Sequence, residues 1–416
     1  MPDVERTVDA ALAAVDESYV VDLACRLVRT PSVYVPEDPD RNESAVAGLV
    51  ARELREMGLE VHVDEAAPGR PNVIADWAAA GTGDGPLLIL EGHADVVTEG
   101  DPAAWSVPPF AGLIAEGRLY GRGAADMKGG VAAAIGAVRA LGAVGAALPG
   151  RVRLAIVADE EGMMSGIKAF IRRGWARGAS GAIICEPEDN NPCLAQKGAV
   201  RALARFRGRM AHGAMPKSGV NPIPAASAFL ARVRTLEAQE VTHHGQHPLL
   251  GEPSITPTVL RAGEPAQLNV MPAEALVGLD IRTIPGQDHR AIREDLRTAA
   301  EAAALTVPGC RSELSVIEER PWTETSTDAP IAQAVDRACR RVQRRAPRLR
   351  GVPGATDGTF LHAWAEVPVV VIGPGDVTIP HQVDEFVRVA DLLEACRIYA
   401  AAVCYALSEG TEAGRA

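Results

Sequence analysis

Four stretches of the chain are apolar almost without interruption: PLLILEG (86–92), RVRLAIVAD (151–159), SGAIICEP (180–187) and VPVVVIGPG (367–375). A strand with one wet face alternates apolar and polar residues, whereas a strand covered on both faces does not. The four runs therefore read as buried parallel strands. Helical patterns separate the first three, GGVAAAIGAVRALG (129–142) and SGIKAFIRRGWARG (165–178). This alternation predicts an α/β domain with a mostly parallel sheet.

The pattern changes after Lys197. AVRALARFRGRM (199–210) alternates, and AASAFLARVRTLEAQ has a helical period after Pro224. SITPTVLRAG (254–263) and EALVGLDIRT (274–283) read as strands, HRAIREDLRTAAEAAAL (289–305) as a helix and RSELSVIE (311–318) as a strand. The order β-α-β-β-α-β is that of a ferredoxin-like α+β layer. It is expected as an insertion at 198–318, between a first part of the larger domain at 1–197 and a second part at 319–416. The second part carries the helix APIAQAVDRACRRVQRR (329–345), and the closing EGTEAGRA is expected to fray.

Composition narrows the class. A chain of 416 residues is long for one core, and 47% apolar with 23% charged residues is the balance of a globular protein. The net charge of −12, without a basic stripe, argues against nucleic acid and an anionic membrane surface as partners. The most hydrophobic stretch, Val131 to Leu148, is rich in Ala and Gly and broken by Arg139, so it reads as a buried helix and not a membrane span. The acidic opening MPDVERTVDAALAAVDESYV lacks the basic end and apolar run of a signal peptide. Cys25, Cys185, Cys193, Cys310, Cys339, Cys396 and Cys404 are widely spaced with no CxxC, which fits a reducing cytoplasm.

The chemistry lies at the strand ends. The first run leads into His93, the second into Glu160 and Glu161, the third into Glu186, and the fourth, after a short loop, into His381. Asp126 adds a carboxylate in GRGAADMKGG. Open α/β sheets bind ligands outside the carboxyl ends of their strands. Nitrogen and oxygen donors without thiolate suit zinc, and also cobalt or manganese. One zinc needs three or four protein ligands, so two histidines, three carboxylates and a spare glutamate point to two metals sharing a carboxylate. Three anionic ligands and a hydroxide also neutralise two divalent ions, as a buried site requires. Asp95, two residues after His93 on extended backbone, is placed to orient the imidazole.

GHADVV, GRGAADMKGG, ADEEG, ICEP, QKG, LNVMPAEALVGLDIRTIPG, GATDGTFLH and IPHQVDEFV occur in this order between about residues 15 and 405. Together they resemble the acetylornithine deacetylase / succinyl-diaminopimelate desuccinylase family of di-zinc hydrolases, relatives of aminoacylases and glutamate carboxypeptidases. The resemblance implies a catalytic α/β domain interrupted by a ferredoxin-like lid that pairs two copies into a homodimer. It implies two Zn²⁺ per chain, replaceable by Co²⁺ or Mn²⁺. His93, Asp126 and Glu186 would hold one metal, and Asp126, Glu161 and His381 the other. Glu160 would be the general base, and His212 the oxyanion donor, reaching the partner's site. Asn269, Arg282 and the loop Gly354, Ala355 and Thr356 would meet a small acylated amine substrate.

Two departures stand out: Cys185 where a small glycine is usual, and a looser lid motif, AHGAMP. The string of His243, His244 and His247 reads as a solvated lid segment without matching carboxylates. The reading is a deacylase of N-acyl amino acids. The alternatives are a carboxypeptidase or dipeptidase, and a metal-binding protein without activity, which loss of the base or of a ligand would mark.

Overall fold

The structure is a computed structural model that describes residues 4–35, 38, 40–78 and 85–409. Most of the closing EGTEAGRA, residues 410–416, lies outside the described residues. Two compact units divide the chain. Residues 1–194, 324–350 and 356–416 form the first, and residues 195–323 and 351–355 the second. The second unit thus spans more than the 198–318 read from the pattern, and the chain returns to it once.

In the first unit, parallel pairing joins Arg151–Val157 to Leu87–His93, Leu87–His93 to Ala179–Ile184, and Ala179–Ile184 to Val369–Val371. These are the four apolar runs, and every residue of Leu87–His93 is buried. The flanks are antiparallel: Val61–Ala67 pairs with Arg70–Ala78, which pairs with Arg151–Val157, and Cys193 lies opposite Val371. Helix Gly129–Ala143 is buried nearly all round and packs against helix Val389–Glu409, which also packs against helix Pro330–Gln343. No helix among the described residues is long and apolar enough to cross a membrane.

The second unit is a four-stranded antiparallel sheet in the order Ser254–Ala262, Glu274–Thr283, Gly198–Arg207, Arg311–Arg320. With helices Ile223–His244 and His289–Ala304 this is the ferredoxin-like arrangement. Alternation explains its two faces. Val200, Ala202, Ala204 and Phe206 enter the core, where Phe206 meets Phe229 at 5.6 Å. Arg201, Arg205 and Arg207 point the other way and pair with Asp280 and Glu318, with Glu274, and with Glu313. Ser254–Ala262 is an edge strand with a register shift between Pro257 and Val259, and Leu260 on it is exposed.

Candidate metal centre

His93 is the last residue of its strand. Glu160 and Glu161 follow Arg151–Val157, Glu186 follows Ala179–Ile184, and His381 lies in the loop after Val369–Val371. Asp126 sits in the turn before helix Gly129–Ala143. These positions converge. Asp126 turns one oxygen to each histidine, with Oδ1 3.0 Å from His93 Nε2 and Oδ2 3.3 Å from His381 Nε2. His93 Nε2 is also 3.6 Å from Glu186 Oε1, and His381 Nε2 is 2.9 Å from Glu161 Oε1. Among the described residues, two groups have ligand atoms within 4.8 Å of one another: His93, Asp126 and Glu161, and His93, Glu160 and Glu186. Imidazoles and carboxylates without thiolate, with one aspartate between two histidines, fit divalent cations of the zinc type.

Electrostatics agree with that fit. Burial, and then the charge of Asp126, push the carboxyl of Glu186 well above the usual range. Burial likewise raises Glu161. Burial pulls His93 down, but Glu186, Asp126 and Asp95 outweigh it and hold the imidazole well above its ordinary value. Hydrogen bonds to Asp126 and Glu161 push His381 up to about 10. The side chains thus retain protons that a cation would displace.

The supports come from beyond the strand ends. The carboxylate of Asp95 accepts the backbone N–H of Glu160 on Oδ1 and of Glu161 on Oδ2, each at 3.1 Å. His93 Nδ1 lies 3.0 Å from the backbone oxygen of Asp95 and 3.7 Å from its carboxylate. Asp95, expected to orient the imidazole, thus meets it through its carbonyl, while its carboxylate holds the N–H groups of the glutamate turn. Glu385 does the same for Asp126, its Oε1 accepting the N–H of Ala125 at 3.0 Å and of Asp126 at 3.1 Å. Its Oε2 takes Arg122 Nη1 at 2.6 Å, and both side chains are buried. Glu91, buried two residues before His93, is pushed up to about 8 by burial. Sequence reading missed Glu385 and Glu91, yet a glutamate inside the apolar run LLILEG was itself a signal, because buried acids need partners.

The second unit groups other expected residues. His212 lies opposite Val270 in a two-residue ladder, and Gly213 donates to the backbone oxygen of Asn269 at 2.7 Å, so His212 and Asn269 are neighbours on an exposed tip. Arg282 has its fork on Asp280, Nε to Oδ1 at 2.6 Å and Nη2 to Oδ2 at 3.2 Å, so it already carries a carboxylate. The backbone oxygen of Ala355 accepts from Arg320, and among the described residues nothing beyond its chain neighbours lies within 4 Å of a Cβ built on Gly354. Thr356 belongs to the first unit, where its hydroxyl accepts from Gly358 N–H at the start of helix Gly358–Ala365. His243 and His244 end helix Ile223–His244 instead of lying in a loop, His247 occupies the turn beyond, and none belongs to either ligand group. Cys185 is fully buried against the helix at Gly130 and its thiol is raised by burial, the state of a packed and inert residue.

Residues 89–405 match the model of peptidase family M20/M25/M40. The chain is 32% identical over 387 residues to the succinyl-diaminopimelate desuccinylase of Methylobacterium sp. (strain 4-46), covering 91% of this chain and 93% of that protein. It is 32% identical over 392 residues to the protein of the same name from Rhodopseudomonas palustris (strain BisA53), covering 91% and 96%. Among solved structures, an M20 family metallo-carboxypeptidase from Sulfolobus solfataricus superposes with a TM-score of 0.76 at 18% identity, covering 94% of this chain and 99% of that one. Human carnosine dipeptidase 1 superposes with a TM-score of 0.75 at 19% identity, covering 98% and 99%. At these identities the structural likeness speaks for the fold.

Proposed function

The chain belongs to peptidase family M20/M25/M40, and from that premise we propose that it is a two-metal deacylase that hydrolyses the C–N amide bond of small N-acyl amino acids. The carrying observation is the convergence of His93, Asp126, Glu161, Glu186 and His381, with Asp126 facing both histidines. We assign His93, Asp126 and Glu186 to one metal, Glu161 and His381 to the other, and Asp126 to both. The curated relatives, named as desuccinylases and covered over nine-tenths of their length, favour a deacylase over a peptidase.

Bound there, divalent cations supply Lewis acidity at a water and at the scissile carbonyl. The protein's own part is proton transfer and alignment. Glu160, within 4.8 Å of both His93 and Glu186 at their ligand atoms, takes the proton of the water and gives it to the leaving nitrogen. Asp95 holds both glutamate backbones, so the base and its metal-binding neighbour point their own ways. We assign His212 as oxyanion donor and Asn269 beside it as a substrate contact, both on the exposed tip of the second unit. That tip, with exposed Met210, Met215 and Leu268, and the edge strand Ser254–Ala262, supports a homodimer formed through the second unit. Seven free cysteines suit the cytoplasm within the same reading.

The test is amine release by zinc- and cobalt-loaded enzyme from N-acetyl, N-succinyl and N-formyl amino acids and from dipeptides. The deacylase reading expects turnover of an N-acyl amino acid above all dipeptides. Preference for a dipeptide overturns it.

A further inference from the structure

Asp159, directly before the glutamate pair, has a left-handed backbone with φ 69°, which a residue with a side chain seldom adopts. Its neighbours hold it there. Met163 and Ser165 donate their N–H groups to its carboxylate at 3.3 and 3.1 Å, and Met164 donates to its carbonyl at 2.6 Å. A Cβ at position 162 would stand 2.2 Å from Asp159 Oδ1, so the loop closes on the carboxylate only with Gly162.

The remaining contact comes from far along the chain. Arg70 Nη1 binds Asp159 Oδ1, while Arg70 Nε meets both oxygens of Glu43 at 2.8 and 3.1 Å and Nη2 adds a further bond to Glu43. Glu43 is 0% exposed, Asp159 4% and Arg70 6%. The ring of Tyr34 covers the guanidinium at 3.8 Å. A buried charged hub is a poor way to gain stability, because apolar side chains of the same volume commonly do as well. A planar fork, however, fixes direction as well as distance. Here it fixes the residue from which Glu160 and Glu161 issue, while Asp95 grips the N–H groups of those two glutamates.

We propose that Glu43 and Arg70 are a positioning pair for the general base: acting through Asp159, they hold the turn that aims Glu160, and so set the rate of hydrolysis while leaving substrate and metal affinity nearly untouched. The inference rests on the reading of Glu160 as the base. The variants are R70M, D159N and the two combined, each loaded with zinc, beside E160Q. R70M is expected to lower kcat about 10–100-fold, the usual worth of a supporting contact, with KM within about threefold of wild type. Metal content by elemental analysis stays at the wild-type value. The double variant is no slower than the worse single, because both changes break one contact. In metal-free protein, hydrogen exchange quickens across 159–165 and is unchanged across 87–93. Wild-type kcat in a folded R70M, losses that multiply in the double variant, or unchanged exchange would each overturn the proposal. Should R70M fail to fold, R70K takes its place. Its ammonium cannot hold Glu43 and Asp159 together, and a smaller loss confined to kcat is expected, so wild-type kcat and exchange in R70K are equally fatal. Retained activity in E160Q would sink the base assignment alone, with the exchange result still deciding whether Arg70 holds the turn.

Discussion

Glu385→Gln removes a charge from beneath Asp126 while keeping the shape of the side chain. Glu385 and Arg122 are both buried and meet at 2.6 Å. In the variant the amide oxygen still accepts the N–H groups of Ala125 and Asp126, but the guanidinium of Arg122 loses its anion. Breaking a buried pair from one side costs about 3–5 kcal/mol, because a charge is left without compensation. For a unit of this size, each kcal/mol moves Tm by about 2–4 °C, so the expected loss is roughly 6–20 °C. Arg122→Met strands the carboxylate instead and is expected to cost a similar amount. The double variant removes both charges and should be more stable than either single, so the coupling should exceed the larger single loss of about 3–5 kcal/mol. Thermal unfolding of the four metal-free proteins, followed by circular dichroism, measures all three differences. Additive losses, or a Glu385→Gln protein that melts with wild type, would refute the reasoning.

Glu160→Gln should lower kcat by about 10²–10⁴ with metal content intact, and Glu161→Gln should lose metal; the reverse pattern swaps their roles. Elemental analysis should give about two divalent ions per chain, and loading the metal-free protein should acidify a weakly buffered solution as the cluster sheds its protons. One ion in fully active enzyme, or no proton release, contradicts the dinuclear reading. Mixed Glu160→Ala and His212→Ala chains should recover activity toward half per hybrid dimer after subunit exchange. Lack of recovery despite proven exchange removes His212 from the partner's site. His289, in the second unit, is held below its ordinary value by burial, against the opposing pull of Glu319. Its unfolded form therefore takes up protons first, so stability is full above the ordinary histidine range and falls as pH drops through it. Urea unfolding at several pH values should show a flatter profile in His289→Gln, and superimposable profiles contradict this.

The central strands were legible because burial on both faces leaves an unbroken apolar run, as in Leu87–Leu90 and Val369–Ile372. The hairpin Val61–Ala67 to Arg70–Ala78 was not, since its first strand has no buried residue and edge pairing leaves no period to read. The sheet of Leu113–Ala115, Arg118–Tyr120 and Phe386–Arg388 has strands too short to show any period. At the site, histidines and carboxylates following apolar runs announced themselves. What holds them did not: Asp95 grips residues about 65 positions away, and Glu385 about 260 away, distances over which spacing carries no information. Arg282 is different. Asp280 stands two positions before it on one strand, on the same face, so the engaged fork was there to be read.

The strand Val369–Val371 lies between Ala179–Ile184 and Cys193, so one of the last strands to be synthesised enters the middle of the sheet. A nascent chain that has just left the ribosome as far as residue 323 holds every strand of the ferredoxin-like layer, and that layer can form early. The sheet is still open at Ala179–Ile184, where a row of N–H and C=O groups awaits its partner. The roughly 190 residues separating the two strands take about 10–40 s to translate at bacterial and eukaryotic speeds of about 5–20 residues per second. His381 and Glu385 arrive later still, so the cation cage cannot close before this strand has been made. That interval is when the open edge is most exposed to mispairing with other chains, and a chaperone that shields unpaired strands would act on it then.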